Sequence, residues 1–415
     1  MVCQGRAMKI HSRLRACAAA AAALLTAVAA LSAAGSAAAA PEPGLPANGI
    51  TSADPAPLRK TSAPIPGQYI VTLHKGTKPG AFVKQTLPGL KPLFTYAAVL
   101  NGFAAKLTPA QLRAVRAVPA VKVVEEDGTA SARPVTSRQD RFQAFSWGLD
   151  RIDQPYLPLN QKFNIEGTGV GATAYIVDTG IDYSHPEFGG RAVPGFDAVN
   201  DGRNGQDCNG HGTHVAGTVG GTDFGVARQA KLVSVRVLGC DGRGPWSGII
   251  AGLDWVAQNA RRPAVINASL GGDRNQAVNN AVTNIALRGT LPVVAAGNDA
   301  RDACDVSPAS AQRTVTVGAT DHLDKETDFS NFGPCLSLYA PGKAIFSAKL
   351  GGGSIALDGT SMASPHVAGV ALLYQAANPA ATPEQIADWL VLQSTKDILT
   401  VSKTSPNRLL YTGGL

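Results

Sequence analysis

Several things are missing from this chain, and each absence narrows what it can be. Charged residues make up only 16% of its 415 residues. After about residue 40 no apolar stretch is long enough to cross a bilayer, since a spanning helix needs about 20 apolar residues. A G-x-S-x-G turn is absent, which excludes the strained serine elbow of the α/β-hydrolases. There is no C-x-x-C pattern. The one H-x-x-H pair, His211 and His214, lacks the glutamate of a zinc-binding helix. No internal repeat and no appended C-terminal domain is visible. Lys and Arg outnumber Asp and Glu by 37 to 30, a net +7. The excess is local: residues 1–134 carry 15 against 5, and the remainder 22 against 25, a net −3. The larger part is near neutral, and nothing argues for nucleic acid as a partner.

Composition changes along the chain suggest five segments. Residues 1–40 start with Arg6, Lys9, Arg13 and Arg15, continue as an Ala/Leu/Val run and end in small residues. This is the three-part layout of a secretory signal peptide, so the product is expected to be extracellular with no membrane anchor. Residues 41–65, rich in Pro, Ala and Ser, read as a disordered linker, with order starting at Gln68. Residues 66–131 read as a small α+β unit. Its candidate strands are Tyr69–Leu73, Leu90–Phe94, Gly102–Leu107 and Val121–Glu125, and Thr108 with Gln111 makes a capping box. Residues 132–146 are polar and without periodicity. From residue 147 to 415, apolar runs alternate with helical stretches, as a parallel sheet with helices on both faces requires. Candidate strands there are 172–177, 232–237, 265–267, 291–295 and 314–317. Candidate helices are 212–219, 247–259, 275–288, 365–376 and 383–393, with Ser247 and Thr382 as N-caps.

Three motifs in this last segment carry chemistry. Asp358-Gly-Thr-Ser-Met-Ala-Ser-Pro-His-Val-Ala-Gly369 places Ser361 where a chain turns at Gly359 into an apolar helix. Pro365 suits a first helical position. A helix start offers free N–H groups and a positive dipole end, which suits a serine nucleophile. Such a serine needs a base, and the base an orienting carboxylate. The run Ala174-Tyr-Ile-Val-Asp178 reads as a buried strand delivering Asp178 at its carboxyl end. Asn209-Gly-His-Gly-Thr-His-Val-Ala-Gly217 places His211 at a second helix entrance. Each residue alone has a plain structural reading; together, in the order Asp, His, Ser, they point to nucleophilic acyl transfer.

With these motifs the chain resembles the subtilisin-like serine proteases, within the branch of proteinase K and aqualysin. The resemblance covers about Trp147 to the C-terminus and implies a subtilisin-like parallel sheet with helices on both faces. It also implies that the small α+β unit is a ferredoxin-like propeptide acting as chaperone and inhibitor, with maturation between Ala132 and Asp140. By resemblance Ser361 is the nucleophile, His211 the base and then acid, Asp178 its carboxylate, and Asn298 the oxyanion donor. Gly242, Gly244 and Trp246 correspond to one edge of the substrate cleft, and Ser269, Leu270, Gly271 and Gly272 to the other. Ala295 and Gly297 form the facing pocket wall. These stretches hold no charge except Arg243, so the pocket is expected to take aromatic or large aliphatic side chains.

Six cysteines are present, and Cys3 and Cys17 fall in the signal-like segment. The remaining four allow three disulfide pairings; the resemblance selects Cys208–Cys240 and Cys304–Cys335. No organic cofactor is expected. Calcium is the expected structural ion. The aqualysin-like loop with Asp150, Asp153, Gln154 and Asn160 is its main candidate site, and Asp201 with Asp207 a second. Ser337 stands where the family has a calcium-binding aspartate beside the carbonyls of Gln312 and Thr314, which weakens that third site. The chain therefore reads as a monomeric, secreted serine endopeptidase. Its expected partners are protein and peptide substrates and its own propeptide. A catalytically silent binding protein on the same scaffold is the rival reading, and labelling by a fluorophosphonate separates the two.

Overall fold

A computed structural model describes residues 54–132, 134, 146–402 and 404–415. The signal-like segment and most of the expected maturation stretch lie outside the described residues. Regular structure begins earlier than the Pro/Ala/Ser composition suggests. Leu58–Arg59 (β1) pairs in parallel with Val121–Ser131 (β5), and Pro64–Leu73 (β2) starts before Gln68. The expected linker is thus part of the small domain from residue 54 onward, because its backbone finds a partner on the open edge of β5. The strand expected at Leu90–Phe94 lies at Phe94–Tyr96 (β3), followed by Gly102–Lys106 (β4). A helix at Pro79–Thr86 (α1) was not foreseen. Pro109–Arg116 (α2) starts on the capping box of Thr108 and Gln111. From β2 to β5 this is the ferredoxin-like order of strands and helices.

Side chains alternate along the strands of this sheet, so its two faces serve two cores. Val71, Phe103 and Val124 pack with Phe82 and Val115 of its own helices. Ile70, Tyr96 and Ala104 face the other way, into the core shared with the larger domain.

The larger domain is built around one sheet. Its strands are Thr173–Asp178 (β6), Ala192–Asp197 (β7), Lys231–Arg236 (β8), Ala264–Ala268 (β10), Leu291–Ala295 (β12), Val315–Thr320 (β14), Leu338–Pro341 (β15), Thr395–Lys396 (β18) and Arg408–Leu409 (β19). Short strands lie outside it at Arg243–Pro245 (β9), Gly272–Asp273 (β11), Val306–Ser307 (β13), Ile345–Ala348 (β16) and Ser354–Leu357 (β17). The sheet order is β18-β19-β15-β14-β12-β10-β6-β8-β7, parallel except between β18 and β19. Trp147–Ile152 (α3), His211–Gly220 (α4), Thr360–Ala377 (α7) and Pro383–Gln393 (α8) contribute to the core on one face. Trp246–Asn259 (α5) and Gln276–Leu287 (α6) cover the other. β6 shows why: Ala174 and Ile176 enter the first core, Tyr175 and Val177 the second.

Two helix starts differ from the sequence reading. Thr360, not Pro365, opens α7, so Pro365 sits inside the helix. It cannot donate to the Ser361 carbonyl four residues back; the Ser269 hydroxyl donates there instead, at 2.9 Å. α5 starts at Trp246, and Ser247 does not cap it. The Ser247 N–H is received by the buried carboxylate of Asp127, from the end of β5.

Candidate active site

Parallel strands leave their carboxyl ends open to ligands, and β6 ends on Asp178, whose side chain is fully buried. One carboxylate oxygen accepts the Thr179 N–H at 2.7 Å and meets His211 Nδ1 at 2.7 Å. His211 opens α4 behind Gly210, which holds a left-handed φ of 105°. With Nδ1 tied to the carboxylate, Nε2 is buried and has no hydrogen-bond partner among the described residues. Burial by itself would lower the His211 pKa; the charge and hydrogen bond of Asp178 outweigh it and hold the group above the usual 6.5.

Ser361 is the second residue of α7 and is 3% exposed. Its hydroxyl donates to the Ser269 carbonyl at 3.2 Å. Helix α7 packs directly against α4, which carries His211. Asn298 follows the wall residues Ala295 and Gly297. Its side-chain oxygen is pinned by the N–H and hydroxyl of Thr360, at 2.9 and 2.8 Å. That orients the amide nitrogen as the donor, and it packs against Gly359. A Cβ at 359 would sit 3.2 Å from this nitrogen, on a residue with φ of 149°, so only glycine suits the turn.

A cleft of about 740 Å³ lies over Ser361 and Asn298. Leu270, Gly271, Gly272, Ala295 and Gly297 line it. Ser269 does not; it is fully buried and supports Ser361 from beneath. The end of β5 occupies this cleft as a third strand between two edges. Ala130 pairs with Gly244 and Ser131 with Arg243 on one side, and Ser131 exchanges both backbone bonds with Gly271 on the other. Gly242 adds a carbonyl that accepts the Ala132 N–H at 2.9 Å. Trp246 departs from the expectation of an open apolar face. It is 1% exposed and does not line the cleft, because the chain at Gly128 lies against its ring.

Sequence reasoning missed four cleft residues. Val306 sits between the two walls, its methyl 3.5 and 3.7 Å from where Cβ atoms on Gly271 and Gly297 would lie. Asp273, Asp299 and Arg301 form a charged rim, with Arg301 3.3 Å from Asp273 and 3.7 Å from Asp299. Asp299 directly follows Asn298 and Asp273 follows Gly272, so both acids were readable beside their motifs. The arginine that joins them was not.

The proposed calcium loop is folded on itself. Asp150 accepts the N–H groups of Asn160 and Gln161, Asp153 that of Asn164, and the Gln154 amide donates to the carbonyls of Tyr156 and Pro158. The second Asp153 oxygen is buried without a partner, and burial, joined by the charge of Asp150, pushes its pKa up. The second candidate does not hold. Asp201 is taken by Arg236 at 2.6 and 2.8 Å. Asp207 is saturated by Thr179, Asn209, Gly210 and Thr213. Ser337 exchanges hydrogen bonds with Thr316. Disulfides join Cys208 to Cys240 and Cys304 to Cys335.

Comparison with known proteins identifies the family of each domain. The subtilase family matches residues 169–410 and the peptidase inhibitor I9 family residues 68–132. The extracellular serine proteinase of Thermus sp. (strain Rt41A) is 45% identical over 87% of this chain and 93% of its own length. Alkaline serine exoprotease A of Vibrio alginolyticus is 46% identical over 75% of this chain, which spans 58% of that longer protein. The crystal structure of a cold-adapted subtilisin-like serine proteinase, 48% identical, covers 65% of this chain and 98% of its own with a TM-score of 0.64. The chain belongs to the subtilase family, as a serine endopeptidase with an inhibitor domain ahead of its peptidase domain.

Proposed function

We propose that this protein is a secreted precursor that cuts itself free of its inhibitor and then hydrolyses peptide bonds through Asp178, His211 and Ser361. The observation that carries the reading is the buried Asp178–His211 bond, 2.7 Å long, beside an orphaned His211 Nε2. Ser361 Oγ leaves the Ser269 carbonyl, gives its proton to Nε2 and attacks the peptide carbonyl. The developing oxyanion is received by the Asn298 amide and the Ser361 N–H at the start of α7, where such charge is most stabilised. His211 returns the proton to the leaving amine, and water then hydrolyses the acyl-enzyme by the same route. Asp178 fixes the imidazole tautomer and stabilises the imidazolium.

Substrate is held as β5 is held, by strand addition between β9 and Gly271. The apolar slot of Leu270, Ala295 and Val306 favours aromatic or large aliphatic side chains before the cut bond, and the charged rim lies at its mouth. Calcium, where bound, sits in the 150–164 loop through Asp150, Asp153, Gln154 and Asn160. The donors are two carboxylates with amide and carbonyl oxygens; no cluster of three acids or histidines occurs among the described residues. The orphaned Asp153 oxygen and the like charge of Asp150 suit a hard cation. The ion supplies charge compensation to the fold and takes no part in the reaction.

Three outcomes follow. Asn298→Ala leaves KM nearly unchanged and lowers kcat by about 10²–10³-fold, the loss that removing the matching donor causes in subtilisin. Near-normal turnover in a folded variant contradicts the assignment. The pH profile of kcat/KM falls on its acid side as His211 becomes protonated, because only the neutral ring is a base. Since Asp178 raises that pKa, the limb lies above 6.5. The buried His214 and His366, pushed down to about 3 and about 4, do not contribute to it. A limb at or below 6.5 contradicts this. Finally, calcium stabilises the parent by RT ln(1 + [L]/Kd), roughly 2.7 kcal/mol at a hundredfold excess over Kd, and so raises its melting temperature. Asp153→Ala removes most of that response while Ser337→Asp adds to it. An undiminished response in Asp153→Ala places the ion elsewhere.

A further inference from the structure

The segment before the inhibitor domain does more than connect. The inhibitor family match starts at residue 68, yet residues 56–63 are bound at every turn. The Ala56 N–H and carbonyl both engage Arg116, at 2.7 Å each. Pro57 accepts the Val124 N–H at 3.0 Å, and β1 adds Leu58 opposite Val124 and Arg59 opposite Glu125. β5 is thereby flanked on both edges at Val124 and Glu125, and again at Ser131 in the cleft. β1 and β2 hold its first half; β9 and Gly271 hold the half that lies in the cleft. A strand edge left open there would fray first.

The same segment reaches the peptidase domain directly through Ser62 and indirectly through Arg59, which backs Glu125. Arg59 pairs with Glu125 at 3.7 Å, and Glu125, 3% exposed, accepts the Ala277 N–H at the start of α6 at 3.3 Å. Arg59 is the cation facing a carboxylate that burial makes costly. Thr61 donates its N–H to Glu126 at 3.1 Å, and the Ser62 hydroxyl donates to the Asp273 carboxylate on the cleft rim. Ala63 lines the cleft itself.

We propose that residues 56–63 are a clasp that keeps the cleaved inhibitor on the enzyme, so that the contacts of Arg59 and Ser62 set the delay between the maturation cut and the appearance of activity. This rests on the precursor reading above. After the cut the inhibitor is held without a covalent link, so its departure rate depends on such contacts. Losing the hydrogen bond to the Asp273 carboxylate, or the cation that backs the buried Glu125, weakens that hold.

The test uses the full chain. Parent, Arg59→Ala/Ser62→Ala and Ser62→Thr are followed in parallel, chain splitting by gel and hydrolysis of a chromogenic peptide by rate. All three substitutions lie in the part removed, so the mature enzymes are identical and differences belong to the precursor. The double variant is expected to split as fast as the parent and to shorten the silent interval roughly threefold to thirtyfold. Ser62→Thr, which keeps the hydroxyl, keeps the parent interval. An unchanged interval in the double variant overturns the clasp and leaves the precursor reading intact. Slower splitting in the double variant also overturns it, because the segment then serves folding instead. A parent that is active as soon as it splits likewise overturns the clasp alone, whereas a parent that never splits overturns the precursor reading on which it rests.

Discussion

A carboxylate held away from water governs this structure. Asp178 is fully buried, and its bond to His211 spans 33 residues of chain. An isolated buried charge is costly, and pairing with hydrogen-bonding groups is what makes it tolerable. The Thr179 N–H and the His211 ring provide that pairing. The consequence runs outward. β6 sits inside the sheet between β10 and β8, α4 begins at His211, and α7, which carries Ser361, packs on α4. Ser361 is in turn fixed by Ser269 below and by the Thr360–Asn298 contacts beside it.

The inhibitor domain meets the enzyme through the same kind of accounting. Helix starts carry unpaired N–H groups, and two peptidase helices receive acids from β5: Asp127 at α5 and Glu125 at α6. Burial pushes the pKa of both upward, while the helix starts and neighbouring donors that face them pull the other way. In the other direction, Asp254 of α5 accepts the N–H groups of Ala98 and Val99 at 2.7 and 2.8 Å. Beyond these caps the last residues of β5 enter the cleft by backbone pairing alone, as a substrate would. The domain therefore occupies the cleft through backbone bonds to both of its edges.

The strand end and helix starts that carry Asp178, His211 and Ser361, the main strands and most helices were legible because each announces itself locally. A short apolar run ending in Asp, or a Gly-His-Gly entrance, carries its own pattern over a few residues. What stayed hidden depends on partners distant in sequence. Ser247 looked like an N-cap, but the acceptor is Asp127, 120 residues earlier. Pro365 looked like a first helical residue; Ser269, 92 residues before Ser361, is what lets the helix start sooner. Residues 54–65 read as linker because Pro, Ala and Ser hide the fact that β5 offers them an edge. Arg301 gave no hint that it would join Asp273 to Asp299.

The account stands on Ser361 being the nucleophile in a cleft to which the chain presents its own inhibitor strand. The direct measurement is the intact mass over time of purified full-length Ser361→Ala, beside the parent, with no other protease present. The account predicts that the parent separates into inhibitor and peptidase fragments while Ser361→Ala remains a single folded chain. A folded Ser361→Ala precursor that separates at the parent's rate would contradict it.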